Sequence, residues 1–183
     1  MKFWISLIGY QAVWFAAVIG AGHGLAWPGV LGMLLYATWQ FRVSDRRSTD
    51  LRLIAAALVM GLLLDGGLLH LGLASYAASW VAPAPPAWIL ALWATFALTF
   101  TQSLSYLQNK LWLAALLGSI GGPLAYQGAA RGWHVVSFAQ PVWPALLWLA
   151  IGWGLATPLL ARLARHRPGH PASTPVSLQG HGS

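Results

Sequence analysis

The chain has 183 residues, of which 58% are apolar and only 7% charged, and its net charge is +7. Soluble domains carry about 25% charged residues, so this composition excludes a mainly water-facing surface and indicates a lipid environment. The absence of cysteine excludes disulfides, thiolate catalysis and cysteine metal sites. The basic residues stand at the ends of apolar segments, which is typical of membrane topology and argues against nucleic acid as a partner.

Six apolar segments follow one another along the chain, each close to the roughly 20 residues that a spanning helix needs. They cover residues 3–21, 25–41, 53–73, 87–107, 111–130 and 142–161. The sequence therefore predicts an all-α polytopic membrane protein, a compact bundle of six transmembrane helices within residues 1–162. Residues 163–183 are rich in Pro, Gly, Ser and His, which predicts a disordered cytoplasmic tail with solvated histidines.

The distribution of basic residues predicts the orientation of these helices. If the loop 42–52 is cytoplasmic, nine basic residues lie on that side and only Arg131 lies on the other. This bias predicts a multi-pass membrane protein with both termini in the cytoplasm. The first segment has one alternative, a cleaved signal peptide with Lys2 as its basic region. The small-residue cleavage candidate "GAG" at 20–22 is poor, so a retained helix is favoured.

A single acidic residue, Asp65, stands inside the apolar stretch "GLLLDGGLLH" at 61–70. An ionised carboxylate at mid-membrane costs about 2.5–3.5 kcal/mol on insertion scales, so it normally faces the protein interior. The small residues Ala57, Gly61 and Gly72 share its helix face and allow another helix to approach. We expect Asp65 to face the bundle and to contact a polar group from the first, fourth or fifth segment.

Counting residues inward from the outer ends of the segments predicts a polar layer around Asp65. Its candidate members are Gln11, His70, Thr95, Thr99, Gln102, Ser119, Tyr126 and Gln127. Candidates on the outer side of this layer are His23, Arg131 and His134. They come from separate segments without a local ligand motif, so no metal and no cofactor is predicted. Two interpretations of Asp65 stay open, a lock for helix packing and a functional proton or ligand site.

The fifth segment contains two glycine pairs and a proline, and four tryptophans of the chain lie deep in the apolar segments. The pairs Gly118/Gly122 and Gly128/Gly132 in the fifth segment indicate close helix packing. Pro123 removes a backbone donor, so the fifth segment is predicted to bend or break at residues 121–123. Four tryptophans too deep for an interfacial belt are interpreted as packing residues; they are Trp14, Trp93, Trp148 and Trp153.

Four stretches carry a resemblance to a known family: "YQAVWFAAVIGAGHGLAWPG", "GLLLDGGLLHLG", "PPAWILALWATFALTFTQSLSYL" and "LLGSIGGPLAYQGAARG". Over about residues 3–160 the chain resembles domain-of-unknown-function family 2878, a family of small bacterial inner-membrane proteins. The resemblance implies a polytopic membrane protein without an assigned activity, and a link to lipid-modifying enzymes. Where the family pattern implies a histidine before "SL" in the fourth segment, this chain has Gln102.

Three classes of function fit these observations. The favoured one is an accessory or structural component of a lipid or envelope system. The alternatives are a small-molecule or lipid transporter that uses Asp65 as an intramembrane proton or ligand site, and a membrane-embedded lipid-modifying enzyme. The chain has no HExxH, GxSxG or paired-carboxylate motif, which argues against the enzyme. The expected partners are membrane lipids together with a second copy or another membrane protein.

Overall fold

The structure is a computed structural model that describes residues 1–80 and 84–165. Six α-helices follow the predicted segments: α1 (Lys2–Gly22), α2 (Trp27–Val43), α3 (Arg47–His70), α4 (Ala87–Thr99), α5 (Leu111–Trp133) and α6 (Trp143–Leu163). Two short strands, β1 (Ala74–Tyr76) and β2 (Val136–Phe138), and a 3-10 helix (Ser105–Asn109) lie between them. The six-helix, all-α prediction is confirmed. Nearly all of the predicted tail lies outside the described residues.

In the described part of the chain, three helices are long and apolar enough to cross a membrane, namely α1, α3 and α6. Their outward faces carry large apolar side chains that no other part of the described chain covers, such as Ile8, Leu63 and Leu155. A soluble protein does not expose apolar surface on this scale, because contact with water is unfavourable. The helices and their surface therefore indicate a membrane protein.

Helices α5 and α6 form the most extensive contact of the fold. Gly118 and Gly122 of α5 lie directly against Trp153 and Thr157 of α6, and a Cβ at Gly118 would collide with the carbonyl oxygen of Trp153. The prediction of close packing is confirmed for this pair. It is wrong for Gly128 and Gly132, since a Cβ there meets nothing within 4 Å.

The helix predicted over 87–107 ends at Thr99, so the candidate Gln102 lies beyond the helix that carries Thr95 and Thr99. A polar side chain binds a carbonyl just after the helix. Gln108 Nε2 donates to Phe100 O at 2.8 Å. This bond satisfies a backbone acceptor that a longer helix would satisfy through its ladder. With 13 residues, α4 is roughly 20 Å long, shorter than a hydrocarbon core of about 30 Å.

Helix α5 continues through Pro123, so of the two predicted outcomes the break is wrong, while the bend stays a prediction. Proline removes one hydrogen bond of the helix. On the preceding turn, Gly118 and Gly122 are packed closely against α6. Ser119, on the same turn, donates its hydroxyl to Leu116 O at 3.0 Å.

The loops after α3 and α5 meet in a two-stranded antiparallel ribbon, which the sequence analysis did not predict. Ala74 pairs with Phe138, Ser75 with Ser137 and Tyr76 with Val136. Side chains alternate across a strand, so Ala74 and Tyr76 are buried while Ser75 is exposed. The ribbon turns Tyr76 toward the interior, where Asp65 lies.

Candidate functional site

Asp65 is fully buried in α3 and accepts three hydrogen bonds. Tyr126 from α5 and Tyr76 from β1 donate their hydroxyls to Oδ1 at 2.5 and 2.7 Å. Trp93 from α4 donates its indole N–H to Oδ2 at 2.7 Å. The expectation that Asp65 faces the bundle and contacts polar groups from the fourth or fifth segment is confirmed.

The three donors belong to a cluster of aromatic rings, which we call the Asp65 cage; its members are Tyr76, Trp88, Trp93, Tyr126 and Trp153. Trp93 stacks on Trp153 with ring centroids 4.2 Å apart and planes at 14°. Tyr76 meets Trp88 and Tyr126 edge to face, at 6.3 and 6.5 Å. The rings enclose the carboxylate, which has no exposed surface in the described structure.

Small residues on α3 make room for the cage. A Cβ at Gly61 would lie 2.5 Å from Cδ1 of Trp93, so only glycine lets the indole reach the Asp65 carboxylate from α4. Ala57, one turn earlier on the same face, is fully buried. The small-residue face expected around Asp65 therefore admits a tryptophan at Gly61. The expectation is wrong for Gly72, because α3 ends at His70 and a Cβ at Gly72 would meet nothing within 4 Å.

All three groups bonded to Asp65 are neutral donors rather than cations. Burial, and after it the Asp65 carboxylate, raises the pKa of Tyr76 above its ordinary value. Its hydroxyl therefore keeps its proton and donates. A hydrogen bond to a charged group contributes about 1.5–3 kcal/mol. With both oxygens occupied, the arrangement holds a carboxyl group in place and ties α3, α4, α5 and β1 together.

Tyr126 is the one predicted member of the polar layer that touches Asp65. The threonines bond to their own helix, Thr95 to Ala91 O and Thr99 to Phe96 O. Ser119 likewise bonds within α5, and Gln11 and His70 are exposed. Gln102 and Gln127 are half-buried, the first of them in the turn that follows α4. The outer-side candidates are all exposed; they are His23, Arg131 and His134.

Two of the three partners of Asp65 were not predicted from the sequence. Trp93 was interpreted as a packing residue, although an indole N–H buried at membrane depth needs an acceptor. Tyr76 lies in a loop, and its strand was not recognised. The signal was the alternation of apolar and polar residues in "ASY" and "VSF", which is typical of half-buried strands.

A second buried carboxylate, Asp50, lies in the first turn of α3 and was also missed. Thr101 Oγ1 donates to Asp50 Oδ1 at 2.8 Å. Gln40 Nε2 donates to Thr101 Oγ1 at 2.8 Å and reaches Asp50 Oδ2 at 3.3 Å. These bonds join α2 and α3 to the turn after α4. Within the described ranges, no three side chains of the metal-ligand types gather in one place.

A groove lies against the cage between α1, α4, α5 and α6, with a volume of about 270 Å³. The cage residues Trp93, Tyr126 and Trp153 are among the residues that line this groove. The indole N–H of Trp153 is buried and has no hydrogen-bond partner among the described residues. The groove and the Asp65 carboxylate therefore share the cage residues, but the carboxylate does not line the groove.

The fold and the site define a helical membrane protein built around a buried carboxylate with aromatic donors. The chain belongs to the family described as "Protein of unknown function (DUF2878)", whose sequence model matches residues 3–159. The resemblance noted from the sequence is thereby confirmed at the level of the family. A search of curated proteins found no match, and a search of solved structures found none either.

The stacked pair of tryptophans offers a matched test of the cage. We expect Trp93→Phe to lower the free energy of unfolding by about 2–4 kcal/mol, because it leaves a buried carboxylate oxygen unpaired as well as reducing ring contact. Trp153→Phe loses a similar stack but no hydrogen bond, and about 1 kcal/mol is expected. Denaturant unfolding in mild detergent measures both variants. Equal losses would show that the Trp93–Asp65 bond does not stabilise the fold.

Proposed function

We propose that the protein is a multi-pass protein of the bacterial inner membrane, with six spans and both termini in the cytoplasm. The nine-to-one distribution of basic residues and the three long apolar helices support this topology. The turn after α4 is compatible with membrane depth, because Phe100 and Leu107 are buried and the backbone acceptors there have side-chain partners. Irregular backbone is tolerated in a membrane where protein covers it.

The absence of native cysteine allows a direct test of this topology with single cysteines. Ser137 lies in the ribbon and Ser48 at the start of α3, and both are exposed. A membrane-impermeant maleimide should label the Ser137→Cys variant in intact cells and the Ser48→Cys variant only after lysis. Reporter fusions after residues 84 and 183 should read outside and inside. The reverse labelling pattern would contradict the topology.

We further propose that the protein is an accessory or structural component of a lipid or envelope system, in which Asp65 locks helix packing. One observation carries this proposal: the Asp65 carboxylate is fully buried and holds three hydrogen bonds from neutral donors inside the cage. A carboxylate that relays protons or binds a substrate needs access to water or ligand. The hydrogen bonds inside the cage favour a structural role for Asp65, because they connect α3, α4, α5 and β1.

The two alternatives have less support. A proton-coupled transporter requires the cage to open, which costs the three hydrogen bonds. A lipid-modifying enzyme requires an acid–base partner, and the groups around Asp65 are two phenols and an indole. The histidine on the same helix, His70, is exposed at the helix end.

A measurement of proton flux into vesicles distinguishes the accessory role from transport. Vesicles containing a pH-sensitive dye are prepared with the wild type, with Asp65→Asn and without protein, and a membrane potential is imposed. The accessory role predicts the same flux in all three, whereas a transporter predicts a flux that only the wild type supports. In parallel, purification from native membranes in mild detergent should retain a membrane protein partner in near-equal amount. A protein that purifies alone and conducts protons would overturn the proposal.

A further inference from the structure

The groove beside the Asp65 cage has almost entirely apolar walls. Trp14 of α1, Leu92 and Phe96 of α4, and Leu117 and Ala125 of α5 line it. A well-formed apolar cavity of about 150 Å³ stays free of water and takes up hydrocarbon. The groove, at about 270 Å³, is larger than that. Its chemistry therefore suits a hydrocarbon rather than a polar solute.

The length of the groove matches one leaflet of a bilayer. Along α5 its lining extends from Leu117 to Ala129, a distance of roughly 18 Å at 1.5 Å per residue. The hydrocarbon core of a bilayer is about 30 Å thick, so one leaflet spans about 15 Å. The groove is therefore long enough to hold the part of an acyl chain that lies in one leaflet.

The groove opens sideways, toward lipid. Helix α1 packs mainly on α2 and α4 and touches α5 little. Gly121 lines the groove, is exposed, and would have nothing within 4 Å of an added Cβ. Trp14 of α1 meets Trp133 of α5 edge to face, with ring centroids 5.4 Å apart, near the C-terminal end of α5. A hydrocarbon chain can enter from the bilayer without leaving it.

We propose that this groove is a binding site for one acyl chain of a membrane phospholipid, which enters between α1 and α5 at Gly121. The proposal rests on the membrane location proposed above and does not depend on the accessory role. The chain packs on the outer faces of the Asp65 cage, where Trp93 and Tyr126 form part of the wall. An occupied groove thus completes the contact between α1 and α5.

Two glycines of α5 provide a matched pair of variants. Gly121 and Gly128 are both exposed and both have open space at the Cβ position, but only Gly121 lines the groove. A phenyl ring in the Gly121→Phe variant displaces several methylenes of the acyl chain, and each buried methylene changes affinity about fourfold. The Gly128→Phe variant adds the same ring to the same helix outside the groove.

The protein is reconstituted in phosphatidylcholine vesicles that contain a phospholipid with a photoactivatable acyl chain. Mass spectrometry then compares labelling of the half-buried Leu92 and Ala125 in the groove with labelling of Ile120 and Leu124 on the exposed surface. We expect the groove-to-surface ratio to fall at least about tenfold in Gly121→Phe and to stay unchanged in Gly128→Phe. Equal ratios in the two variants, or labelling confined to the exposed surface, would overturn the proposal.

Two controls keep the result interpretable. Ala125→Leu, a second change in the groove wall, should also lower the ratio, and it replaces Gly121→Phe if that variant does not fold. The Gly121→Cys variant carries the only thiol of the chain, and efficient disulfide-linked dimers, compared with Gly128→Cys, would identify a second copy as the occupant and refute the acyl chain. The cysteine-labelling and flux experiments test the proposed function without reference to the groove, so the two proposals can fail separately.

Discussion

Replacing Asp65 with leucine is expected to lower the free energy of unfolding by at least about 4 kcal/mol, because buried donors without acceptors cost about 1–3 kcal/mol each. The substitution leaves three such donors, the hydroxyls of Tyr76 and Tyr126 and the indole of Trp93. It also puts a bulkier side chain into a position with no exposed surface. Denaturant unfolding in mild detergent, followed by tryptophan fluorescence, measures the loss.

Asparagine at position 65 tests which of these bonds matters. Its carbonyl oxygen can still accept hydrogen bonds from the two tyrosines. Its NH2 group then faces the N–H of Trp93, and because both groups are donors, no hydrogen bond forms between them. We expect Asp65→Asn to lose about 2–3 kcal/mol. Adding Trp93→Phe removes the second donor and should recover part of that loss, whereas adding Trp153→Phe should not. The double-mutant cycle then gives the coupling between Asp65 and Trp93.

The Asp65 prediction fails in two distinguishable ways. If Asp65→Leu unfolds at the same denaturant concentration as the wild type, the cage does not stabilise the fold. If the losses in free energy of unfolding from Asp65→Asn and Trp93→Phe add up within about 0.5 kcal/mol in the double variant, the hydrogen bond between Trp93 and Asp65 contributes little. Loss of a measured activity in a fully stable Asp65→Asn variant would favour the proton or ligand interpretation of Asp65.

Gly118→Ala is the second change with a large expected effect. A single methyl group there would collide with the carbonyl oxygen of Trp153 and with Thr157, both on α6. A backbone oxygen cannot move without its helix, so α6 must shift along the largest contact of the fold. Overpacking usually costs about 1–3 kcal/mol, and we expect a loss near or above 3 kcal/mol because the obstacle is backbone.

The control for Gly118→Ala is Gly128→Ala on the same helix. Gly128 has open space around its Cβ position, so alanine there should stabilise the helix by about 0.5–1 kcal/mol through backbone entropy alone. The thermal midpoints of the two variants in detergent should therefore move in opposite directions. A Gly118→Ala variant that is as stable as the wild type would show that α5 and α6 are not packed as closely as described.

Several features of this protein follow from the sequence alone. Six helices are predictable from the lengths of the apolar segments, since a chain in lipid has to satisfy its backbone within each segment. The burial of Asp65 is predictable because exposing a carboxylate to lipid is unfavourable, and its small neighbours indicate the tight side of α3. The contact at Gly118 and Gly122 is likewise indicated by their spacing, although the identity of α6 as the partner is not.

The tertiary structure decided which groups meet Asp65 and where helix α4 ends. Helical periodicity relates residues on one element but carries no information about which faces of two elements meet, so Trp93 from α4 and Tyr76 from β1 could not be assigned to the carboxylate. Helix α4 stops at Thr99, and the carbonyl of Phe100 just after it accepts a hydrogen bond from Gln108, which forms only once the chain has folded back. Asp50 was read as part of a charged loop, yet Gln40 and Thr101, distant in sequence, enclose it. In each case the deciding contact joins residues from separate elements, and a linear pattern does not encode such a pairing.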